Sequence, residues 1–269
     1  MSAELFSCEL WGGAAYARLQ KRRARSSKPT SRDFDWRSLA TAYLQPSERY
    51  EARALWTNGV FTEYASGAAF ASVAALLAQA GAPIDLIAAA ADMAVDEMDH
   101  VELVSKVVME LGGAVPMMVD LATVTPAPTP HARPLMQALE VLVQVSCIGE
   151  NLSVPALTAS RDGVEPPVLR AVLQRLLVDE GQHAQLGFWA LDWAQDKLCA
   201  EDRRHLAQVA SAALASYDDL WQQDCHTCVP HVPSGGITRL RHADIFHNAV
   251  TQRIVGPLAR RGILVNSPG

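Results

Sequence analysis

Apolar side chains recur at intervals of three and four residues along most of the chain, and segments rich in proline and glycine interrupt them. This is the period of an α-helix that buries one face, and no run shows the two-residue alternation of a half-buried strand. We therefore expect an all-α protein. The pattern predicts long helices at about 47–79, 83–111, 134–160 and 166–198, and two further helices at about 201–223 and 238–260.

The connections predict how these helices are arranged. The first two helices are joined by the short segment "AGAP" and the last two of the four by "RDGVEPP", whereas "AVPMMVDLATVTPAPTPHARP" between the second and third is long enough to cross a bundle. Short, long and short connections are those of a ferritin-like four-helix bundle. We expect an N-terminal extension at 1–45, the bundle at 46–198, and C-terminal helices packed on it at 199–269.

Composition narrows the class of protein. The 269 residues are 49% apolar and carry a net charge of -6, which gives no general reason to expect a nucleic acid partner. We find no uncharged apolar run approaching the roughly 18 to 20 residues of a membrane span, and no export signal. The five cysteines are odd in number and scattered, as is typical of a reducing compartment. We therefore expect a cytoplasmic protein with no membrane partner.

One segment departs from the acidic balance. "KRRARSSKPTSR" contains six basic residues: Lys21, Arg22, Arg23, Arg25, Lys28 and Arg32. Such a run contacts phosphate or an acidic partner, or lies in solvent at the edge of the fold. A solvated arm is the preferred interpretation.

Each of the four long helices carries a glutamate in the middle of its apolar face. At 100° per residue, the residues within about 60° of Glu97 are apolar: Ala90, Met93, Ala94, Val101, Val104 and Val108. Glu180 is framed in the same way on the fourth helix, Glu63 on the first and Glu150 on the third. A buried carboxylate without a partner is costly, so we expect these acids to share a site.

Two of these acids are followed by a histidine three residues later. "DEMDH" contains Glu97 and His100, and "DEGQH" contains Glu180 and His183; at this spacing both side chains point inward together. Carboxylates that converge in one bundle would repel one another without cations between them. Oxygen and imidazole donors suit iron or manganese, and the paired motifs predict two ions.

The series Glu, Glu-x-x-His, Glu, Glu-x-x-His resembles the ferritin-like di-iron or di-manganese carboxylate proteins over about residues 47–198. The resemblance implies two iron ions, with manganese as the alternative, and assigns the two groups of metal ligands as the catalytic centre. One ion would be bound mainly by Glu63, Glu97 and His100, the other mainly by Glu150, Glu180 and His183, with some acids bridging.

Asp96 and Asp179 precede the two motif glutamates. The fuller form Asp-Glu-x-x-His resembles the hydroxylase subunits of bacterial multicomponent monooxygenases. There such an aspartate accepts a hydrogen bond from a metal-bound histidine and fixes its tautomer. The resemblance implies that role for both aspartates, and a helix-flank charge in water is the alternative.

Several subfamilies fit less well. Val104 stands where ribonucleotide reductase small subunits have a radical tyrosine, and Leu176 where N-oxygenases have an extra histidine. Rubrerythrins need two Cys-x-x-Cys pairs, whereas the chain has one, and storage ferritins are shorter. The resemblance is closer to multicomponent monooxygenases and aldehyde-deformylating oxygenases.

The resemblance implies a non-heme di-iron oxidoreductase of the monooxygenase type, which uses O2 to oxidise a small organic substrate that is free or carrier-bound. Its electrons would come from an external donor such as a ferredoxin or reductase. The alternatives are a ferroxidase or other iron-handling protein, and a di-manganese catalase. A homodimer formed through the outer helices is left open.

We expect the substrate on the side away from the histidines, where Gly59, Gly67, Gly149 and Ser153 leave room. Pro155 removes a backbone donor within the third helix, which predicts a kink or bulge beside Glu150.

Other candidates have ordinary explanations. A "CHTC" loop is a weak zinc signal, and a loop with ordinary thiols is preferred for Cys225, His226, Cys228 and His231. His242 and His247 are interpreted as solvated or interhelical, and Tyr64 as packing.

Overall fold

The computed structural model describes residues 4–7, 17, 21, 24, 26, 28–40, 44–130, 132–223 and 239–265, without the side chains of 218–223 and 239–242. Its helices are α1 Arg37–Ala40, α2 Pro46–Gln79, α3 Ile84–Glu110, α4 Pro134–Leu142, α5 Asn151–Gly163, α6 Pro167–Trp193, α7 Ala200–Gln223, α8 Arg239–Ala249 and α9 Gly256–Ala259. Two π-helical segments, Val143–Glu150 and Val250–Val255, join α4 to α5 and α8 to α9.

The predicted all-α class and the positions of the helices are confirmed. The described residues also contain 3-10 turns at Leu121–Thr123 and Gln195–Lys197. A two-residue antiparallel ladder, which the sequence did not predict, pairs β1 Glu4–Leu5 with β2 Met118–Val119. The division into three parts along the chain stays a prediction.

Local signals explain where the long helices begin and end. Pro46 occupies the first turn of α2, where Glu48 accepts a hydrogen bond from the backbone N–H of Gln45 at 2.8 Å. Proline is tolerated there because the first N–H groups have no partner in the helix. Gly81 ends α2 at φ 68° and Gly112 ends α3 at φ 107°, conformations that glycine adopts without steric penalty.

The four acids lie between two apolar clusters of the bundle. α2 packs along α3, α3 packs on α6, and α6 packs on α5 and on the π-helical segment 143–150. One cluster includes Phe70, Met93 and Leu186, and the other includes Val60 and Leu176. These clusters keep water from both ends of the polar centre and hold the helices in register.

The bundle's third helix is interrupted beside Glu150, as predicted from Pro155. The π-helical segment ends at Glu150 and α5 continues with Pro155 inside it. A π-helix leaves carbonyl groups without their usual i→i+4 donors. The Asn151 Nδ2 atom donates to the Ser146 carbonyl at 3.1 Å and to the Ala184 carbonyl at 2.9 Å, which ties the interrupted helix to α6 beside His183.

By length and composition alone, two stretches could cross a membrane, Pro46–Gln79 and Pro134–Gly163. In their most apolar windows, 33% and 50% of the residues are buried inside the protein. Core helices of a bundle have the same composition, because their apolar face is wide. The absence of a membrane partner stays a prediction.

Two glycines of α6 provide a test of the packing. A Cβ atom at Gly187 would lie 2.5 Å from Cys147 Sγ and 3.0 Å from the Leu142 carbonyl oxygen, whereas no atom of the described residues outside its own helix turn lies within 4 Å of one at Gly181. We expect Gly187→Ala to destabilise the protein by about 1–3 kcal/mol and Gly181→Ala to stabilise it by about 0.5–1 kcal/mol. Urea unfolding measures both; equal effects at the two sites would contradict the helix contact.

Candidate metal centre

The bundle brings the six predicted ligands to one place. Glu63 comes from α2, Glu97 and His100 from α3, Glu150 from the end of the π-helical segment, and the remaining two from α6: Glu180 and His183. Five of the six are buried, and the side chain of Glu63 is 13% exposed. Their convergence is observed, and their role as ligands stays a prediction.

Four of these side chains form one tight cluster. One ligand atom each from Glu63, Glu97, His100 and Glu180 lies within 4.8 Å of the others. His100 Nδ1 lies 3.3 Å from Glu63 Oε2, 3.2 Å from Glu97 Oε2 and 3.2 Å from Glu180 Oε1. Three carboxylates and one imidazole nitrogen at this spacing form a donor set suited to iron or manganese.

The second histidine faces the other oxygens of two of the same acids. His183 Nδ1 lies 2.9 Å from Glu97 Oε1 and 3.5 Å from Glu180 Oε2. Glu97 and Glu180 therefore each present one oxygen to each histidine, the arrangement in which a carboxylate can bridge two ions. Glu150 is outside the four-residue cluster and next to Glu180, and Ser66 Oγ donates to the Oε1 atom of Glu150 at 3.1 Å.

Buried polar atoms without partners show that the cluster fits metal ions. Four buried atoms have no hydrogen bond within the described part of the chain: Glu97 Oε1, Glu180 Oε2 and both ring nitrogens of His183. His183 Nδ1 lies 2.9 Å from Glu97 Oε1, but the angles between them are not those of a hydrogen bond. Such groups in a protein core usually have a water molecule or an ion as their partner. Here they are carboxylate oxygens and an imidazole that converge on one volume, so we conclude that the residues present fit a metal pair.

The two aspartates contact the histidines in a crossed arrangement. Asp179 on α6 places its Oδ2 atom 3.2 Å from His100 Nε2, and Asp96 on α3 places its Oδ2 atom 3.9 Å from His183 Nε2. Each aspartate thus reaches the histidine of the opposite helix, a pairing that spacing along one helix does not predict. Because Nε2 faces an aspartate, Nδ1 is left to face the glutamates.

Two basic residues balance these aspartates. Lys28 Nζ lies 2.9 Å from Asp96 Oδ1 and 2.7 Å from Asp179 Oδ1, and Arg175 Nη1 pairs with Asp179 Oδ2. The sequence indicated Lys28 only as part of a solvated arm, which is wrong at this residue. Arg175 was missed, although it lies one helical turn before Asp179 on the same face.

Protonation compensates the charges of the metal-free site. Burial, with smaller contributions from Glu97 and Glu180, raises the pKa of Glu63 to about 8. Burial and the charge of Glu180 hold the pKa of Glu150 well above its usual range. Burial opposes protonation of His183, but nearby carboxylates outweigh it and raise its pKa to about 12.

His100 and Glu180 complete this pattern. Burial lowers the pKa of His100, but Asp179 and the neighbouring glutamates outweigh it and hold the pKa well above its usual value. Burial raises the pKa of Glu180, but both histidines outweigh it and hold the pKa well below its usual value. These directions favour protonated Glu63, Glu150, His100 and His183 near pH 7, whereas metal ligands need to be unprotonated.

Binding of two divalent ions near pH 7 is expected to release about four protons per chain, since metal ligands must be deprotonated. Groups with raised pKa values bind these protons below their pKa, so metal affinity rises with pH. At pH 9 about three protons are expected, because Glu63, with a pKa of about 8, has already lost its own. Titration with Mn(II) in weakly buffered solution measures the release; no proton release at pH 7 would contradict the protonation pattern.

Comparisons with known proteins identify the fold. The sequence matches no protein-family model and no curated protein. Among solved structures, a point variant of an R2-like ligand-binding oxidase with an anaerobically reconstituted Mn/Fe cofactor is similar at a TM-score of 0.55 and 18% identity, over 96% of this chain and 95% of that one. The chain has the ferritin-like fold of these oxidases.

Two further structures agree with this result. A second variant, with an aerobically reconstituted Mn/Fe cofactor, has a TM-score of 0.53 and 17% identity, over 93% of each chain. An R2-like ligand-binding oxidase after photoconversion has a TM-score of 0.51 and 18% identity, over 95% of this chain and 87% of that one. At this identity the similarity establishes the fold and leaves the activity to be inferred from the site.

Several residues that the sequence analysis considered are not part of the metal centre. The expectation that Gly59 and Gly67 leave room for substrate is wrong, because a Cβ atom at Gly67 would lie 2.3 Å from Met98 Cε and one at Gly59 would lie 3.4 Å from Val104. Gly67 allows α2 to approach α3 closely, whereas a side chain at Gly59 would make an ordinary van der Waals contact with Val104. Tyr64 packs against Phe6, as the packing interpretation predicts, and His247 is exposed. Outside the described residues or side chains lie Arg22, Arg23, Arg25, Cys225, His226, Cys228, His231 and His242.

Proposed function

We propose that this protein is a non-heme di-metal oxidase, of the oxygenase type, that uses O2 to oxidise a small organic substrate. The observation that supports it most directly is a cavity of about 610 Å³ beside the metal centre. Glu63, Glu150 and Glu180 line it, so a molecule in the cavity would lie against the centre. Cavities of this size commonly hold drug-sized ligands.

The cavity lies on the carboxylate side of the centre, between α2, the π-helical segment and α7. As predicted, Gly149 and Ser153 line it, and part of the long crossover, including Thr123 and Pro126, forms another wall. The histidines lie on the opposite side of the acids and are buried. The cavity therefore offers a direct approach for O2 and substrate to the metal ligands.

The lining favours a neutral substrate. Apart from the three glutamates, the described lining residues are apolar or uncharged and polar, and they include no lysine, arginine or histidine. Gln144 donates its Nε2 atom to the Glu140 carbonyl at 3.1 Å, which leaves its carbonyl oxygen to accept from a ligand. Burial, with the charge of Glu150, raises the pKa of Tyr217 to about 12, so its hydroxyl stays protonated and can donate.

The same six residues would hold the metal pair: Glu63, Glu97, His100, Glu150, Glu180 and His183. Glu97 and Glu180 have one oxygen near each histidine, so each would contribute to holding both ions. Bound iron, or iron with manganese as in the similar oxidases, would supply the redox chemistry that activates O2. The protein's own part is to orient these ligands, exclude bulk water and hold the substrate in the cavity.

The remaining parts of the proposal concern the metal, the electron donor, the form of the substrate, the location and the oligomeric state. We propose iron as the first metal to test, an external electron donor such as a ferredoxin or reductase, and a substrate that is free or carrier-bound. We also propose a cytoplasmic location, no nucleic acid or membrane partner, and a homodimer as the oligomer to test.

The test begins with metal content after reconstitution with Fe(II), and with Fe(II) and Mn(II) together. We expect about two ions per chain and a coupled pair by Mössbauer spectroscopy. Consumption of O2 should then accelerate when a suitable neutral organic compound is added. Accumulation of a ferric mineral would instead indicate iron handling, rapid disproportionation of peroxide by the manganese form would indicate a catalase, and absence of bound metal would refute the proposal.

A further inference from the structure

Lys28 lies between the two histidines of the metal centre in a series of polar contacts, all of them at hydrogen-bonding distance except the 3.9 Å approach of Asp96 to His183. Each aspartate divides its two oxygens between Lys28 and a histidine: Asp96 Oδ1 and Asp179 Oδ1 face Lys28 Nζ, while the Oδ2 atoms face His183 and His100. The order of contacts is therefore His183, Asp96, Lys28, Asp179, His100. One side chain from outside the four-helix bundle connects both halves of the site.

Neighbouring contacts hold this part of the N-terminal segment on the bundle. Arg175 Nε donates to the Pro29 carbonyl at 3.2 Å, and Ser31 Oγ donates to Glu102 Oε1 at 3.2 Å. The Ser31 carbonyl in turn accepts from Trp36 Nε1 at 2.6 Å. The residues that directly follow Lys28 are thus anchored on the bundle, which lowers the entropy lost when its long side chain is held in one position.

The charges of the site give Lys28 a second role. With neutral histidines, the four glutamates and two aspartates carry six negative charges, and Lys28 and Arg175 carry two positive ones. The remaining four negative charges match two divalent ions. Without Lys28 one negative charge would be left unbalanced, and among its described basic contacts Asp96 would keep only the 3.9 Å approach of His183.

The ordinary explanation of the contacts between Lys28 and the two aspartates is a surface ion pair, and such pairs contribute little to stability. The contacts of Lys28 differ from a surface ion pair because they reach into the core: the Lys28 side chain is 35% exposed, Asp179 is 4% exposed and His100 is fully buried. The carboxylates that Lys28 holds also orient the rings expected to bind metal. Partners of this kind typically change metal affinity by 10–100-fold.

We propose that Lys28 is a positioning residue of the metal centre. By holding Asp96 and Asp179 together it keeps both imidazole rings turned so that Nδ1 faces the glutamates. This inference rests on the proposed metal pair, and it assigns a role in the site to the N-terminal extension. Lys28 itself contacts neither metal nor substrate.

The test compares Lys28→Met with Lys106→Met in the full chain. Lys106 is a matched control because it is 40% exposed and contacts Glu110 and the ring of Trp36, neither of which belongs to the metal centre. Zn(II) serves as a diamagnetic probe, its affinity is measured by competition with a chelator, and the histidine side chains are observed by ¹⁵N NMR. We expect Lys28→Met to lower Zn(II) affinity by about 10–100-fold and to shift the Nε2 resonances of His100 and His183, while Lys106→Met changes neither.

Lys28→Arg provides a second variant, since its guanidinium can bridge two carboxylates. We expect it to retain most of the affinity and the histidine resonances. Wild-type affinity and unchanged resonances in Lys28→Met would overturn the inference. If the wild-type chain binds no metal, the proposed function fails. The inference is then decided by the same resonances in the metal-free protein, where an effect at both rings supports it and no effect overturns it.

Discussion

Glu150→Gln is expected to stabilise the metal-free protein and at the same time to reduce its metal content from about two ions per chain to about one. Glu150 is buried and its pKa is held well above the usual range. Ionisation of Glu150 therefore lowers the free energy of unfolding of the protein once the pH exceeds the pKa of this group in the unfolded state. The loss of stability grows until the pH reaches the pKa in the folded state. Glutamine has a similar shape without this penalty, so we expect the metal-free variant to be more stable than the wild type at pH 7 and the difference to shrink as the pH falls.

Loss of one ligand acts in the opposite direction on the loaded protein. We expect O2-dependent turnover to fall at least about a hundredfold, since even residues behind the ligands commonly contribute 10–100-fold. Thermal unfolding with and without Mn(II), together with elemental analysis, measures both effects. Two tightly bound ions in Glu150→Gln would contradict the assignment of Glu150 as a ligand.

Glu140→Gln is the matched control, because Glu140 is also a buried acid of the same bundle helix. Its Oε1 atom lies 2.8 Å from His205 Nε2, and its Oε2 atom accepts from the Thr129 backbone N–H at 2.6 Å. Removing a charged acceptor with these partners is expected to destabilise the protein by about 1–3 kcal/mol. The metal content of Glu140→Gln should stay at two ions per chain. Stabilisation by Glu150→Gln and destabilisation by Glu140→Gln would then distinguish an acid of the metal site from a buried acid with ordinary partners.

Ala213→Trp is expected to abolish oxidation of the organic substrate while metal loading is unchanged. Ala213 on α7 lines the cavity and is 9% exposed, so an indole there has space only inside the cavity. Displacing the substrate by an ångström or more can reduce the rate by about a hundredfold. Steady-state turnover, metal content and oxidation of Fe(II) by O2 measure the separate effects.

Ala212→Trp is the control for this variant, because Ala212 is the neighbouring residue on α7 and is exposed. We expect it to retain turnover. Equal turnover in both variants would show that the cavity is not the substrate site. A loss of Fe(II) oxidation in Ala213→Trp, with the metal sites intact, would favour an iron-handling role in which the cavity admits iron.

The order of residues along the chain was enough to place the helices and the inward-facing acids. A helix repeats every 3.6 residues, so Glu97 and Glu180 can be placed at the centre of an apolar face without knowledge of their neighbours. The same local argument located the interruption at Glu150, since the effect of Pro155 on a helix is confined to about one turn. Connection lengths then indicated which helices are neighbours.

Contacts between distant parts of the chain were decided by the tertiary structure. The crossed pairs of Asp96 with His183 and Asp179 with His100 depend on how α3 and α6 are rotated against each other, which no spacing within one helix specifies. Lys28 lies 68 residues from Asp96 in sequence, and only the tertiary packing shows that its ammonium group contacts the site. Gly67 likewise proved to serve close helix packing, because the position of Met98 on α3 cannot be derived from α2 alone.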